Sequence, residues 1–261
     1  MNELLGMEDH FAKVADVYRA MRITDEAPIL HIRDLLAGRA DVTAADIGCG
    51  AGRYDLLLFR HLHNLRLTCV DLSGEMLAQL TRYLKQNGIH DFETVNVRVE
   101  DMVLGDQSLD CVVTFNAIHH FHFPLFLAKA GRAIKQDGQI FIYTRTPEQN
   151  AGSVWGKFFP GFSQKETRLY RLEEMEKWVS DTSGLKLIEV NTFRFPRTSS
   201  LERLVEQARN RHYSTFSLYE EAAFDQACQA FEEAVQAEFD NPAEVSWVDQ
   251  NILLQIGPTD N

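Results

Sequence analysis

The segment Ala45-Asp46-Ile47-Gly48-Cys49-Gly50-Ala51-Gly52-Arg53 sets three glycines at alternating positions between an apolar run and a helical pattern. It reads as a strand, a tight loop and a helix start. Glycine at these positions removes the Cβ that would hold the backbone away from a ligand, and it permits the φ values of a tight turn. Such a stretch constrains the chain to an α/β fold in which main chain at a strand end lies open to a bound molecule.

The glycines alone leave that molecule open, because dinucleotide-binding loops also join a strand to a helix with the pattern G-x-G-x-x-G. Here the third glycine comes one residue early, and Asp46 stands two residues before the first, where dehydrogenases usually carry an apolar residue. An acid at that place suits a cationic group and repels a pyrophosphate. The segment resembles the first motif of the class I S-adenosylmethionine-dependent methyltransferases, a strand ending in D-x-G-x-G-x-G, in the small-molecule, type 11-like branch. Asp46, Gly48, Gly50 and Gly52 stand at those positions.

Three further stations follow in order. Leu65 to Asp71 alternates apolar and polar residues like a second strand and ends in an acid, followed by Leu72-Ser73-Gly74-Glu75-Met76. The resemblance implies that Asp71 accepts from both ribose hydroxyls of the cofactor, as two carboxylate oxygens allow. At Val97 to Met102 a third strand is expected to give way to the pair Asp101 and Met102. The resemblance implies that Asp101 accepts from the adenine amine and that Met102 offers a backbone N–H and an apolar flank. Ser108 to Phe121 matches the S-x-D-x-V strand and H-H-F turn of small-molecule methyltransferases. The cofactor set implied is Asp46, Gly48, Cys49, Gly50, Asp71, Leu72, Met76, Asp101, Met102 and Asn116. Tyr18 and Arg22 join it through a likeness to the A-x-x-Y-x-x-x-R pattern placed over the methionine end of the cofactor; a packed aromatic and a solvated arginine are the alternative.

The chain of 261 residues carries a formal charge of −12. That balance disfavours broad contact with phosphate backbones, which takes clustered Lys and Arg, so nucleic acid is not expected as a partner. No apolar run approaches the roughly 18 residues of a bilayer span, and Glu3, Glu8 and Asp9 do not fit a signal peptide, so no membrane partner and a cytoplasmic location are expected. Cys49, Cys69, Cys111 and Cys228 form no C-x-x-C pair and read as reduced, buried thiols. Oligomeric state is not legible.

The expected architecture is a Rossmann-like, doubly wound seven-stranded sheet with its last strand antiparallel and with helical lid insertions. Residues 1–40 would be an N-terminal helical cover, with helices over Asn2 to Ala20 and Asp25 to Ala37. Residues 41–146 would be the cofactor-binding core, 147–171 and 194–244 substrate-covering insertions, and 172–193 and 245–257 the rest of the core sheet. Within these, strands are expected at Gly138 to Thr144, Leu185 to Phe193 and Asn251 to Ile256. The stripe Phe224, Cys228, Phe231 and Val235 recurs at helical spacing and reads as packing.

Methyl transfer from a sulfonium is an in-line displacement in which the protein aligns acceptor and methyl carbon. A general base is needed only where the acceptor must lose a proton. His119 and His120 are the candidates for that role, an imidazole packed under the loop being the alternative. His122 extends the pair to H-H-x-H, but adjacent residues rarely converge on one ion, and no metal is expected. Arg145, Arg168 and Arg197 could clamp an acidic acceptor, or be solvated surface cations. Trp155 and Phe159, with Phe158 and Phe162, suit a flat or apolar acceptor, or seal the lid. The expected activity is methyl transfer to a small molecule of unidentified acceptor atom. An NAD(P)-dependent oxidoreductase and a non-catalytic S-adenosylmethionine-binding protein are the competing readings.

Overall fold

The computed structural model describes residues 24–259. Tyr18, Arg22 and the first expected helix lie outside them. The chain divides into two compact units. Within the described residues one comprises 24–144, 170–191 and 252–259, here the sheet unit, and the other 145–169 and 192–251, here the insert unit.

In the sheet unit, α1 (Ala27–Leu35) precedes β1 (Val42–Ile47), α2 (Arg53–His61), β2 (Leu65–Asp71), α3 (Gly74–Gln86), β3 (Phe92–Asn96), β4 (Leu109–Phe115), α4 (Phe123–Ala133) and β5 (Ile134–Thr144); α8 (Leu172–Asp181) comes after the first insertion. β6 (Leu185–Ser199) and β7 (Val245–Pro258) complete a seven-stranded sheet of order β3-β2-β1-β4-β5-β7-β6. The first five strands pair in parallel, and β7 pairs antiparallel to β5. Every residue of β4 is buried, as parallel strands covered on both faces require. The order reverses between β1 and β4, and the carboxyl ends at such a switch are where α/β sheets bind ligands. Asp46 and Asn116 stand there.

Local chemistry sets the helix starts. Ser73 Oγ accepts from Met76 N at 3.2 Å and caps α3. The third strand ends at Asn96, before the segment Val97 to Met102 that was read as its end; that segment is a turn, with Met102 N donating to Arg98 O at 2.9 Å.

The insert unit holds α5 (Pro147–Gly152), α6 (Val154–Phe158), α7 (Phe162–Lys165), α9 (Leu201–Arg209) and α10 (Glu221–Glu238). Its core gathers Trp155, Phe159, Phe162, Phe216, Phe224 and Phe231. The α10 stripe Phe224, Cys228, Phe231 and Val235 is buried in it.

Candidate active site

β1 carries Asp46 to its carboxyl end and passes into a loop where Gly48 and Gly50 take left-handed φ values of +75° and +56°. Their surroundings differ. A Cβ on Gly48 would stand 2.6 Å from Ala117 Cβ and 2.7 Å from Phe121 Cζ, whereas one on Gly50 would meet none of the described residues within 4 Å. Gly48 is demanded by the protein's own packing; Gly50 leaves bare backbone beside open space, the condition for close approach of a ligand.

Asp71 fixes the loop. Its Oδ2 accepts from Gly50 N and its Oδ1 from Ser73 N, both at 2.8 Å. Each oxygen retains a second lone pair, so the carboxylate can hold the loop and still accept from a ligand. Leu72 beside it is partly exposed, and Met76 is buried on α3.

Two more carboxyls lie close by. Asp46 and Asp55 are 1% and 0% exposed. Asp55, in the first turn of α2, accepts from Cys69 Sγ at 3.3 Å through Oδ1. Its Oδ2 and Asp46 Oδ1 have no hydrogen-bond partner among the described residues. Burial, then repulsion from Asp55 and Asp71, pushes the Asp46 carboxyl well above the usual carboxylate range. Burial lifts Asp55 to about 7, with Asp71 adding to the lift and the Cys69 thiol and a backbone N–H opposing it. Burial also raises Asp71, against the backbone N–H groups of Ser73, Gly50 and Leu72. A cation brought beside such a set relieves it.

Asp55 was missed in the sequence, although a signal was present: Asp55, Leu58 and Leu62 share a helical face at i, i+3 and i+7, and all three are buried. Tyr54 was missed as well. Its ring stacks on Phe115 with centroids 4.4 Å apart, and its hydroxyl accepts from Asn116 Nδ2 at 3.5 Å. Asn116 has φ +54°, a left-handed value uncommon outside glycine, and its N–H donates to Tyr143 O at 2.7 Å.

The adenine pair is divided. Asp101 is exposed, while Met102 lies in the hydrophobic core. The Met102 N–H assigned to adenine is bonded inside its own turn, and its carbonyl accepts from Lys129 Nζ at 2.8 Å.

His119 and His120 form a 3₁₀ turn with Ile118 after β4, half-buried, with ring centroids 4.1 Å apart. His122 is separate in role: its Nδ1 accepts from Leu125 N at 3.3 Å and caps α4.

The residues assigned to an acceptor lie in the insert unit, where the structure gives most of them other partners. Trp155 and Phe159 are core residues, not an exposed apolar surface: Trp155 stacks on Phe231 at 5.1 Å, and Phe159 meets Phe216 edge-on at 5.0 Å. Arg168 and Arg197 are ion-paired, not solvated, with Glu166 and with Asp249 at 3.3 Å. Arg145 donates to Asn251 Oδ1 at 3.4 Å and lies over Tyr213.

A family model matches residues 44–138, from β1 into β5. That segment matches a methyltransferase domain. Similar solved structures include a candidate methyltransferase from Bacillus halodurans C-125, 19% identical over 89% of this chain and 97% of that one, TM-score 0.61. A candidate methyltransferase from an antibiotic biosynthesis pathway of Anabaena variabilis ATCC 29413 is 21% identical over 89% and 98%, TM-score 0.64. Geranyl diphosphate C-methyltransferase from Streptomyces coelicolor A3(2), solved with Mg2+, geranyl diphosphate and S-adenosyl-L-homocysteine, is 13% identical over 88% and 80%, TM-score 0.53. At such identities the likeness is one of fold. No curated protein sequence matches the chain.

The methyltransferase domain suits its donor. S-adenosylmethionine supplies an electrophilic methyl group on a cationic sulfur, and this loop offers open backbone at Gly50 beside buried carboxyls with unsatisfied oxygens. The match to a methyltransferase domain sets the oxidoreductase reading aside. Among the described residues no helix is long and apolar enough to cross a membrane.

Proposed function

We propose that this methyltransferase transfers the methyl group to a small organic acceptor. The observation that carries the donor half is Asp71, which grips Gly50 N and Ser73 N at once while Gly50 faces open space. In this reading the free lone pairs of Asp71 accept from the ribose hydroxyls, Asp101 accepts from the adenine amine, and Asp46 lies toward the cationic end of the cofactor. One of His119 and His120 removes a proton from the acceptor, if the acceptor carries one to lose.

The acceptor half is supported by charge. With −12 overall and with Arg168 and Arg197 neutralised by carboxylates, the chain offers poor footing for a nucleic-acid backbone. Geranyl diphosphate, named for the Streptomyces coelicolor enzyme, is an acceptor of the proposed size class.

Calorimetric titration with S-adenosylmethionine and S-adenosylhomocysteine tests the donor half. Asp71→Ala should weaken both by about 2–5 kcal/mol, because charge-assisted bonds are lost and their partners stranded. Unchanged affinity removes Asp71 from the cofactor set. Transfer of radiolabelled methyl to a panel of small acceptors, compared with protein and RNA, tests the other half; label entering only a macromolecule overturns it.

A further inference from the structure

The methyltransferase domain buries Asp46 and Asp55 on one side of its sheet. Asp46 on β1 is the register partner of Cys69 on β2, so their side chains emerge on the same face. The Cys69 thiol in turn reaches Asp55 on α2 at 3.3 Å. Both carboxyls are almost wholly inaccessible, and each keeps one oxygen unsatisfied. Among the described residues the titratable groups around them are the Asp71 carboxyl on β2 and the thiols of Cys49 in the loop, Cys69 on β2 and Cys111 on β4. Burial pushes Cys49 and Cys111 far up; Cys69 also rises, to about 12, against its bond to Cys49. All three thiols are therefore uncharged at neutral pH, and the charges acting on the pair are carboxylates.

We propose that the buried carboxyls Asp46 and Asp55 retain a proton until a cation binds beside them, and that by releasing it to solvent when the sulfonium of S-adenosylmethionine binds they distinguish the methyl donor from its neutral thioether product. The inference rests on the cofactor assignment above. In the transfer step the acceptor's lone pair bonds the methyl carbon and the C–S bond breaks with its electrons on sulfur. Positive charge leaves the cofactor with the methyl group. The pair then takes a proton back from solvent, which removes the electrostatic grip on S-adenosylhomocysteine. A pair that were already ion-paired inside the protein could not discriminate in this way.

The linkage is directional. A bound cation favours the ionised pair, so binding at a pH below the pair's titration expels a proton, and affinity for the donor rises with pH until the pair is ionised without it. With Asp55 at about 7, affinity for S-adenosylmethionine should rise about tenfold from about pH 6 to pH 8. Affinity for S-adenosylhomocysteine should change less than about twofold over the same range.

The test is calorimetric titration of the full chain near pH 6.5 with each ligand, in two buffers of different ionisation enthalpy, which counts protons on binding. Ribose, adenine and amino acid are common to the two ligands and largely cancel in the difference. S-adenosylmethionine should release about three-quarters of a proton more than S-adenosylhomocysteine, and Asp55→Asn should abolish the excess. Equal release from the wild-type protein overturns the inference while leaving the cofactor assignment standing, and it requires no variant to fold. An excess that survives in Asp55→Asn removes Asp55 from the pair. Binding of neither ligand overturns the cofactor assignment and this inference with it.

Discussion

Glu166 of the insert unit and the pair Asp46 and Asp55 of the sheet unit are all buried carboxyls, and their surroundings treat them in opposite ways. In the insert unit Glu166 accepts from Arg168 Nε at 2.8 Å and Thr215 Oγ1 at 2.6 Å, and Arg168 donates onward to Ser214 Oγ at 3.1 Å. Burial works to raise this carboxyl, but the Arg168 guanidinium and the Thr215 hydroxyl outweigh it and hold Glu166 below its ordinary range. In the sheet unit Asp46 and Asp55 keep unsatisfied oxygens and are both raised. The pH signatures are therefore opposite. Glu166, depressed on folding, contributes stability that is present above its ordinary value of 4.5 and is lost as pH falls through its folded value. Asp55, raised on folding, favours the folded state below its ordinary value of 3.8, and that contribution is lost as pH rises toward about 7. A network that closes on itself serves the fold, whereas one left open costs stability and is available to a ligand.

The widest separation between the units should come from removing one partner in each. Arg168→Ala strands Glu166 and should cost about 3–5 kcal/mol at neutral pH, read by chemical denaturation. If stability holds and only the acceptor KM rises, Arg168 is an acceptor ligand after all and the contrast fails. Asp55→Asn should act with the opposite sign. It spares the protein a buried charge and should stabilise the ligand-free form near pH 8 by about 1–3 kcal/mol, the gain shrinking toward pH 4. Destabilisation at pH 8 would mean that Asp55 is satisfied within the fold.

Within the sheet unit, Gly48 and Gly50 offer a finer comparison. Gly48→Ala meets both a left-handed φ and a Cβ contact of 2.6 Å, and should cost about 2–4 kcal/mol of stability. Gly50→Ala meets a left-handed φ alone, so about 1 kcal/mol is expected, while cofactor affinity drops because the new methyl occupies the open face. Equal loss of stability in the two would mean that the loop rearranges and that the open space at Gly50 does not report a ligand.

The sheet unit was the more legible of the two for a physical reason. Its candidate site residues sit at the ends of short strands and in the loops that follow them, so alternation and turn chemistry put Asp46, Asp71 and Asn116 at strand ends, while their cofactor roles come only through the resemblance to methyltransferases. Asp55 escaped because an acid on a helix is ordinarily solvated; only its apolar neighbours at i+3 and i+7 betray it. In the insert unit the deciding partners are distant in sequence. Arg197 finds Asp249 at a separation of 52 residues, and Trp155 stacks on Phe231, pairings that periodicity cannot reveal. The strands at this end were also read too short. The strand expected over Leu185 to Phe193 runs on to Ser199 as β6, the edge of the sheet, where Pro196, a residue without an N–H, is tolerated.

The smallest effect should divide the histidine cluster. The sequence presents H-H-x-H as one group, but His122 accepts from Leu125 N as the cap of α4, whereas His119 and His120 share a separate turn. Loss of a cap costs about 0.5–1 kcal/mol of stability. His122→Ala should therefore lower the denaturation midpoint slightly with turnover per folded molecule unchanged, and His122→Asn, which restores an acceptor at the cap, should recover the loss. His119→Ala and His120→Ala should leave cofactor affinity close to wild type, and at least one should slow methyl transfer to an acceptor that carries a proton. If His122→Ala slowed transfer without touching stability, the cap would not be its role and the cluster would act as a whole. If neither His119→Ala nor His120→Ala altered turnover, the proton of the acceptor would leave by another route, and the turn after β4 would join the structural parts of the sheet unit.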